Sequence, residues 1–547
     1  MSVSVLGDAQ TDSLVSTAEV TSLAAAHNLS IPSSELDDWA ALLAGLNHCA
    51  KEILQRPDYY PAVDTSLYPR ADIHRPSGDI DTDYGGWAWK ATVRAAKPKS
   101  AELAGKTVAL KDNIALAGVQ CTNGTGAVDW VPKVDATLVT RILDAGGVIT
   151  GKAACENNCF GAVSDTSLTG PVHSPYAHGY STGGSSSGSA RLLASGQVDL
   201  AIGADQGGSI RLPSANCGIV GLKPTWELVP YTGCISLEAT IDHTGPMATN
   251  VQDCATLLEV IAGSDGIDDR QPYNWPQGHV KFGAEIREYL DSTAGTEKPL
   301  KGIKIGILKE GFTDPLTDPN VASASHAAIA QLAELGAEVK ELSIPLHSDS
   351  GMIWMVALPM AGTTQGLLAN PSGRKQLLFP ERAEQVGAEL SQEAFEALGP
   401  GGQNIYLRGL FLQQRFGSPL HARCTNLLRK LGDSYDAALR DVDVLVMPTI
   451  IYPPVKICPE GGRTLGVLKM LSRTIGATYN TATFNSSGHP ALSLPVGFVP
   501  ARDNAAVWLP TGLQIVGRKF EDLTCLKIAA SWEKENDWKG LKFGSEA

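Results

Sequence analysis

Cysteine is scarce in this chain, ten in 547 residues, and too scattered for a disulfide scaffold. The pattern fits buried, reduced thiols of a cytosolic protein. No apolar run reaches 18 residues, which excludes a membrane-spanning helix. The first thirty residues lack the basic start and unbroken apolar stretch of a secretory signal. The closing Gly544-Ser545-Glu546-Ala547 carries no retention or peroxisomal address, so cytoplasm is the expected compartment. Positive charge is in deficit: 44 Lys and Arg stand against 58 Asp and Glu, a net −14. That balance works against nucleic acid or an anionic membrane surface as the main partner, because Lys and Arg make the phosphate contacts. It favours small or neutral molecules. A chain of this length buries enough surface to need no disulfide or metal staple.

What is present falls into two parts. Residues 1–80 read as a helical preface. In it Ser34, with Asp37 three residues on, is the expected N-cap of a helix whose apolar face is Leu36, Trp39, Ala40, Leu43 and Leu46. Pro- and Asp-rich sequence, from Tyr68-Pro69 to Asp79 and Asp83, separates it from residues 81–547. There, short β-rich runs alternate with helices. Thr107 to Leu110 is followed by a helix from Thr137 to Leu143, stopped by Gly146-Gly147, and by a strand from Val148 to Thr150. Lys301 to Leu308 precedes a helix from Ala322 to Leu335, stopped by Gly336, and Asp443 to Met447 is a buried strand closed by Pro448. This alternation points to an α/β protein with helices over a mainly parallel or mixed sheet. Residues 349–425 keep no steady period and contain the turn-like Gly399-Pro400-Gly401-Gly402. They and the preface are the expected source of pocket walls.

Three familiar patterns mislead. Gly146-x4-Gly151-Lys152 nearly matches a phosphate-binding loop, but Ala153 stands where Ser or Thr would hold Mg²⁺, and the glycines follow a helix. Gly184-Ser185-Ser186-Ser187-Gly188 matches a hydrolase nucleophile elbow without the apolar strand that an elbow needs before it. Nothing around His243, His421 or His489 singles one out as its base. Cys155-x3-Cys159 has no His or Cys cluster to complete a metal site. A better reading joins Gly183 to Ala190, a polar Gly/Ser loop entering a helix, to Leu200 through Pro213, a strand running into Asp205-Gln206-Gly207-Gly208-Ser209. Successive glycines let several backbone N–H groups converge on one spot, as an oxyanion site requires. A flexible linker would not be followed by a strand, a turn and a buried-looking run.

The segment Ser181 to Pro224 resembles the signature of the amidase signature family, a GGSSGGS loop followed by D-x-GGS-[IV]-R-x-P. Leu110-Lys111-Asp112-Asn113, Ile241 to Met247, Asn485 to Gly497 and Gly512 to Gly517 are similar to further segments of the family. Within the family, the chain looks most like bacterial nitrile-pathway (enantioselective) amidases. The resemblance implies a large mixed β-sheet core with helices on both faces. It also implies hydrolysis of a carboxamide through an acyl-enzyme, without metal or cofactor, on a small-molecule substrate, with a homodimer as the family's hint of assembly. It carries the roles of nucleophile to Ser209, proton bridge after a cis Gly184–Ser185 bond to Ser185, and base to Lys111. A lysine acts as a base only when neutral, a form favoured by burial. The amides of Gln206, Gly207 and Gly208 are the implied oxyanion donors, and Asp205 and Arg211 are expected to pair behind them. Hydrolysis of a carbamate or lactam, or a glutaminase subunit of a tRNA-dependent amidotransferase, are the alternatives. Two departures touch the site: Ser187 replaces a glycine of the signature, and Ser174 stands where many relatives have Asn.

Overall fold

The computed structural model describes residues 14–76, 84–271, 275–370, 373–387, 389–458 and 460–544. The acidic stretch from Asp79 to Asp83 and the last three residues lie outside them. The chain forms two compact units, divided after Pro61.

In the first unit, α1 (Thr17–Ala26) opens with a capping box. Glu19 N donates to Ser16 Oγ at 3.2 Å, and Ser16 N donates to Glu19 Oε2 at 2.7 Å. The second helix, α2 (Leu36–Leu54), does not start on Ser34 as its sequence suggested. Ser34 sits in a 3₁₀ turn, Ser33–Glu35, that runs straight into α2 with Glu35 as the cap residue. Pro32 O accepts from Glu35 N, so the backbone closes this turn by itself and no hydroxyl cap is needed. Ala44 and Gly45 are the buried residues of α2, while Trp39 and Leu46 are exposed.

The second unit is built on one mixed sheet of twelve strands. In chain order they are β1 (Arg70–His74), β2 (Trp87–Val93), β3 (Thr107–Lys111), β4 (Val148–Ala153), β5 (Leu200–Asp205), β6 (Val220–Lys223), β7 (His243–Ala248), β8 (Lys304–Leu308), β9 (Glu338–Leu342), β10 (Val444–Pro448), β11 (Ala491–Ala501) and β12 (Asn504–Gly517). Across the sheet they run β1-β2-β4-β3-β5-β7-β6-β11-β12-β10-β8-β9. The sequence placed a divide near residue 80, yet Arg70–His74 already pairs with β2 in this sheet.

Both faces of the sheet are covered. Successive strand side chains point to opposite faces, and in β5 Leu200 and Ile202 join one apolar cluster while Ala201 joins another. In β10 the same alternation divides Val444 and Val446 from Leu445 and Met447. That is why these strands read as unbroken apolar runs. Among the helices that cover the sheet are α3 (Thr137–Asp144), α4 (Ser187–Ala194), α5 (Arg211–Cys217) and α6 (Pro319–Glu334). The helix after β8 starts earlier than its apolar period, because Asp318 caps it and Pro319 fits the first turn.

Residues 349–425, aperiodic as sequence, are largely helical: α7 (Leu346–Ala361), continued by a π-helical turn (Gly362–Leu367), and the 40-residue α8 (Gly399–Ala438), broken at Gly417. Pro359 and Pro419 lie inside these helices, and Pro400 fits the first turn of α8. Gly409 lets α8 approach α7 closely, since a Cβ there would lie 2.4 Å from Pro359 O and 2.0 Å from Thr363 Oγ1. Helix breakers thus serve as packing residues here. Among the described residues no helix is long and apolar enough to cross a membrane.

Candidate active site

Strands β4, β3 and β5 are neighbours and run parallel, so their carboxyl ends open at one edge of the sheet, where α/β proteins place ligands. Each end delivers a piece of the site: β4 the loop from Cys155 to Cys159, β3 Lys111, and β5 the turn Asp205 to Ser209. The period of two puts Lys111 on the face of Ala109, which packs in the same apolar cluster as Ala190 and Leu192 of α4. The Gly/Ser loop leads into that helix.

Lys111 is fully buried. Its Nζ donates to Ser185 Oγ at 2.7 Å and to Ala204 O at 3.1 Å. Ser185, also fully buried, follows a cis Gly184–Ser185 bond. Ser209 lies in the turn after β5 and lines the main cavity. Ser186 N donates to Ser209 O at 3.3 Å, which ties the backbone of the turn to the loop that carries Ser185. Ser186, the middle residue of the elbow-like pattern, is buried, and its Oγ hydrogen-bonds Ala204 N and O. It is a structural residue.

Asp205 and Arg211 pair as expected. Nε and Nη2 of Arg211 donate to the two carboxylate oxygens at 3.0 and 2.9 Å, both residues fully buried. Burial works against this carboxylate, but the Arg211 charge and the hydrogen bonds from Arg211 and Asn485 outweigh it, holding Asp205 well below the usual range. Arg211 also reaches Gln514 and Asn485 at 2.8 Å. The two carboxylate oxygens then accept from Gly208 N at 2.7 Å and Ile210 N at 3.0 Å.

One expectation is corrected here. The amide of Gly208 is taken up by Asp205 Oδ1 and so is not free to meet an oxyanion. Among the described residues the amides of Gln206 and Gly207 have no acceptor within the chain. Gly208 matters instead for its backbone: its φ is +132°, and a Cβ there would lie 2.4 Å from Thr481 Oγ1. Thr481 Oγ1 in turn donates to Gly207 O at 2.6 Å.

The structure explains both departures from the signature. Ser187 Oγ hydrogen-bonds Glu156 Oε1 at 2.8 Å. Thr166 N and Oγ1 donate to the other oxygen of this buried carboxyl, and Glu156 N donates to Ser185 O at 3.2 Å. Ser174 Oγ accepts from Tyr176 N within its own turn. The other misleading motifs are structural too. Lys152 is a fully buried partner of Asp112 at 2.8 Å, and the ring nitrogens of His489 are committed to Ser487 and Asp436.

The cavity has a volume of about 450 Å³. Its walls include Phe160, Leu237, Trp354, Leu358, Ile405 and Met470, while Asp314 and Arg408 bring the charges. Its lining residues belong to the second unit, and the stretch after residue 349 contributes to them through α7 and α8. Sequence reading missed Glu156, Thr481 and the side chain of Gln206. That side chain donates to Tyr231 Oη and Asp242 Oδ1. Asn485 and Gln514 lay within the family-like segments without a stated role; Trp354 lies in the aperiodic stretch expected to supply pocket walls, and it does line the cavity.

Residues 86–526 match the family model described as Amidase. An enantioselective amidase from Rhodococcus rhodochrous is 38% identical over 86% of this chain and 88% of its own. A glutamyl-tRNA(Gln) amidotransferase subunit from Synechococcus sp. (strain CC9902) is 32% identical over 86% and 89%. The solved peptide amidase of Stenotrophomonas maltophilia superposes with a TM-score of 0.60 at 26% identity, covering 79% of this chain and 83% of that one.

Proposed function

The chain belongs to the amidase family and is a hydrolase of carbon–nitrogen bonds in linear amides. From that premise we propose that Ser209, Ser185 and Lys111 form its catalytic relay and that it takes carboxamides with an apolar, aryl-sized acyl group. Neutral Lys111 draws a proton from Ser185 Oγ, which draws one from Ser209 Oγ, and the Ser209 oxygen attacks the carbonyl carbon. The amides of Gln206 and Gly207 meet the oxyanion, each such donor being worth about 3–4 kcal/mol in comparable sites. As the intermediate collapses the C–N bond breaks, Ser185 returns a proton to the leaving nitrogen, and water then hydrolyses the acyl–Ser209 ester.

The 2.7 Å contact between Lys111 Nζ and Ser185 Oγ, out of reach of bulk water, carries this reading. The cavity walls support the substrate class. Most of the lining is apolar, and its charged side chains among the described residues are Asp314 and Arg408.

Ser209→Ala is expected to abolish ammonia release from benzamide-like substrates while leaving the circular dichroism and melting temperature in place, and Lys111→Ala to do nearly the same. Adding hydroxylamine to the unmodified enzyme should divert acyl groups to hydroxamate. Full turnover by Ser209→Ala would remove Ser209 as the nucleophile.

A further inference from the structure

Cys159 is a buried thiol beside the relay that the hydrolytic scheme does not use. It ends the loop that β4 delivers, in a left-handed turn with φ +48° at Asn158 and +60° at Cys159. It retains 8% exposure and lines the same cavity as Gly207 and Ser209. Its Sγ donates to Asn123 Oδ1 at 3.2 Å, and Cys155, Ser185 and Lys111 are among the groups that influence it. Neighbouring Cys155 is the largest influence drawing this thiol down, and burial opposes it. Cys155 goes the other way, pushed up by burial. Burial also raises Cys121, Cys217, Cys234, Cys254 and Cys525. Cys159 therefore combines cavity access with thiolate-favouring neighbours, the two conditions for a reactive cysteine.

We propose that Cys159 is a covalent modification site, alkylated from within the substrate cavity by small carboxamides that bear a soft electrophilic carbon. With a 2-halo carboxamide, a sulfur lone pair forms the S–C bond as the C–halogen bond breaks. The halide leaves with its electron pair, and the thiol proton passes to solvent. The resulting thioether crowds Lys111 and Ser185 and stops the relay. The preference for a carboxamide rests on the amide-binding reading of the cavity; the reactivity of the sulfur does not.

Iodoacetamide is the probe and iodoacetate its charged counterpart. Limiting iodoacetamide on the native full chain is expected to add one carboxamidomethyl group, mapped by peptide mass to Cys159, with ammonia release lost in step. Iodoacetate should react roughly tenfold more slowly, since the acidic chain and apolar cavity disfavour an anion. Cys159→Ser, compared with its own untreated rate, should resist inactivation; the mapping on unmodified enzyme stands whether or not that variant folds. Label on Cys49 or Cys458 with Cys159 intact, or equal inactivation of Cys159→Ser, overturns the proposal. Equal rates for the two reagents overturn its carboxamide part. Because mass mapping needs no turnover, labelling at Cys159 in a chain that hydrolyses no amide would sink the amidase reading and uphold the thiol.

Discussion

Burial pushes the Glu156 carboxyl up to about 8, against the hydrogen bonds from Thr166 and Ser187 that pull it down, with nearby Asp165 adding to the rise. Between its ordinary 4.5 and that value the folded chain holds a proton that the unfolded chain has lost. Stability therefore falls as pH climbs through this window, by up to about 1.4 kcal/mol per pH unit. Protonated, the acid donates from Oε1 to Ser187 Oγ, since a hydroxyl accepts as readily as it donates, while Thr166 continues to donate to Oε2. Glutamine reproduces that pattern without titrating. Glu156→Gln should keep most turnover and lose less stability than the parent between pH 4.5 and about 8, as read by denaturant unfolding at several pH values. Parallel curves would show that this carboxyl does not titrate there. At this scale the sequence was most legible where chemistry restricts the residue: lysine after an apolar strand, serines in a glycine loop, an Asp and an Arg six apart. Glu156 gave no such sign. Its importance comes from contacts with Thr166, ten residues on, and Ser187, thirty-one residues on, which no local pattern contains.

Elements were legible where their apolar period matched their burial, as in β3, α3 and β10. They were illegible where packing selected residues that intrinsic propensity disfavours. The α7–α8 pair is the clearest case. Glycine and proline normally end helices, and here Gly409 permits a close crossing while Pro400 fits the first turn of α8. Two glycines on this pair predict opposite outcomes. Gly409→Ala forces a Cβ against Pro359 O and Thr363 Oγ1 and should destabilise by about 1–3 kcal/mol through overpacking. Because Pro359 and Ile405 line the cavity, KM for bulky amides should change as well. Gly351→Ala, in α7 with nothing within 4 Å of the new methyl, should instead stabilise by about 0.5–1 kcal/mol. Thermal unfolding of the two variants side by side checks both signs, and stabilisation by Gly409→Ala would refute the close crossing.

At the scale of the whole molecule, the strand order was beyond sequence reading: β3 and β5 pair although 88 residues separate the last residue of one from the first of the other. Only the sheet, laid out, explains why Lys111, the Cys155–Cys159 loop and Ser209 share one edge. Charge was legible at once, because it is a sum over residues and needs no topology. A net −14 sets a long-range field that repels polyanions, and neutral amides do not feel it. The glutaminase alternative places the chain beside tRNA, whereas an independent amidase needs no such partner. The purified chain alone should therefore release ammonia from neutral aryl carboxamides at a rate unchanged by added tRNA. It should not retard tRNA in a native gel even at low ionic strength, where electrostatic attraction would be strongest. Turnover that appears only with partner subunits, or a salt-sensitive complex with tRNA, would reverse this assignment: the acidic surface would then belong to one component of an assembly whose other subunits supply the positive charge.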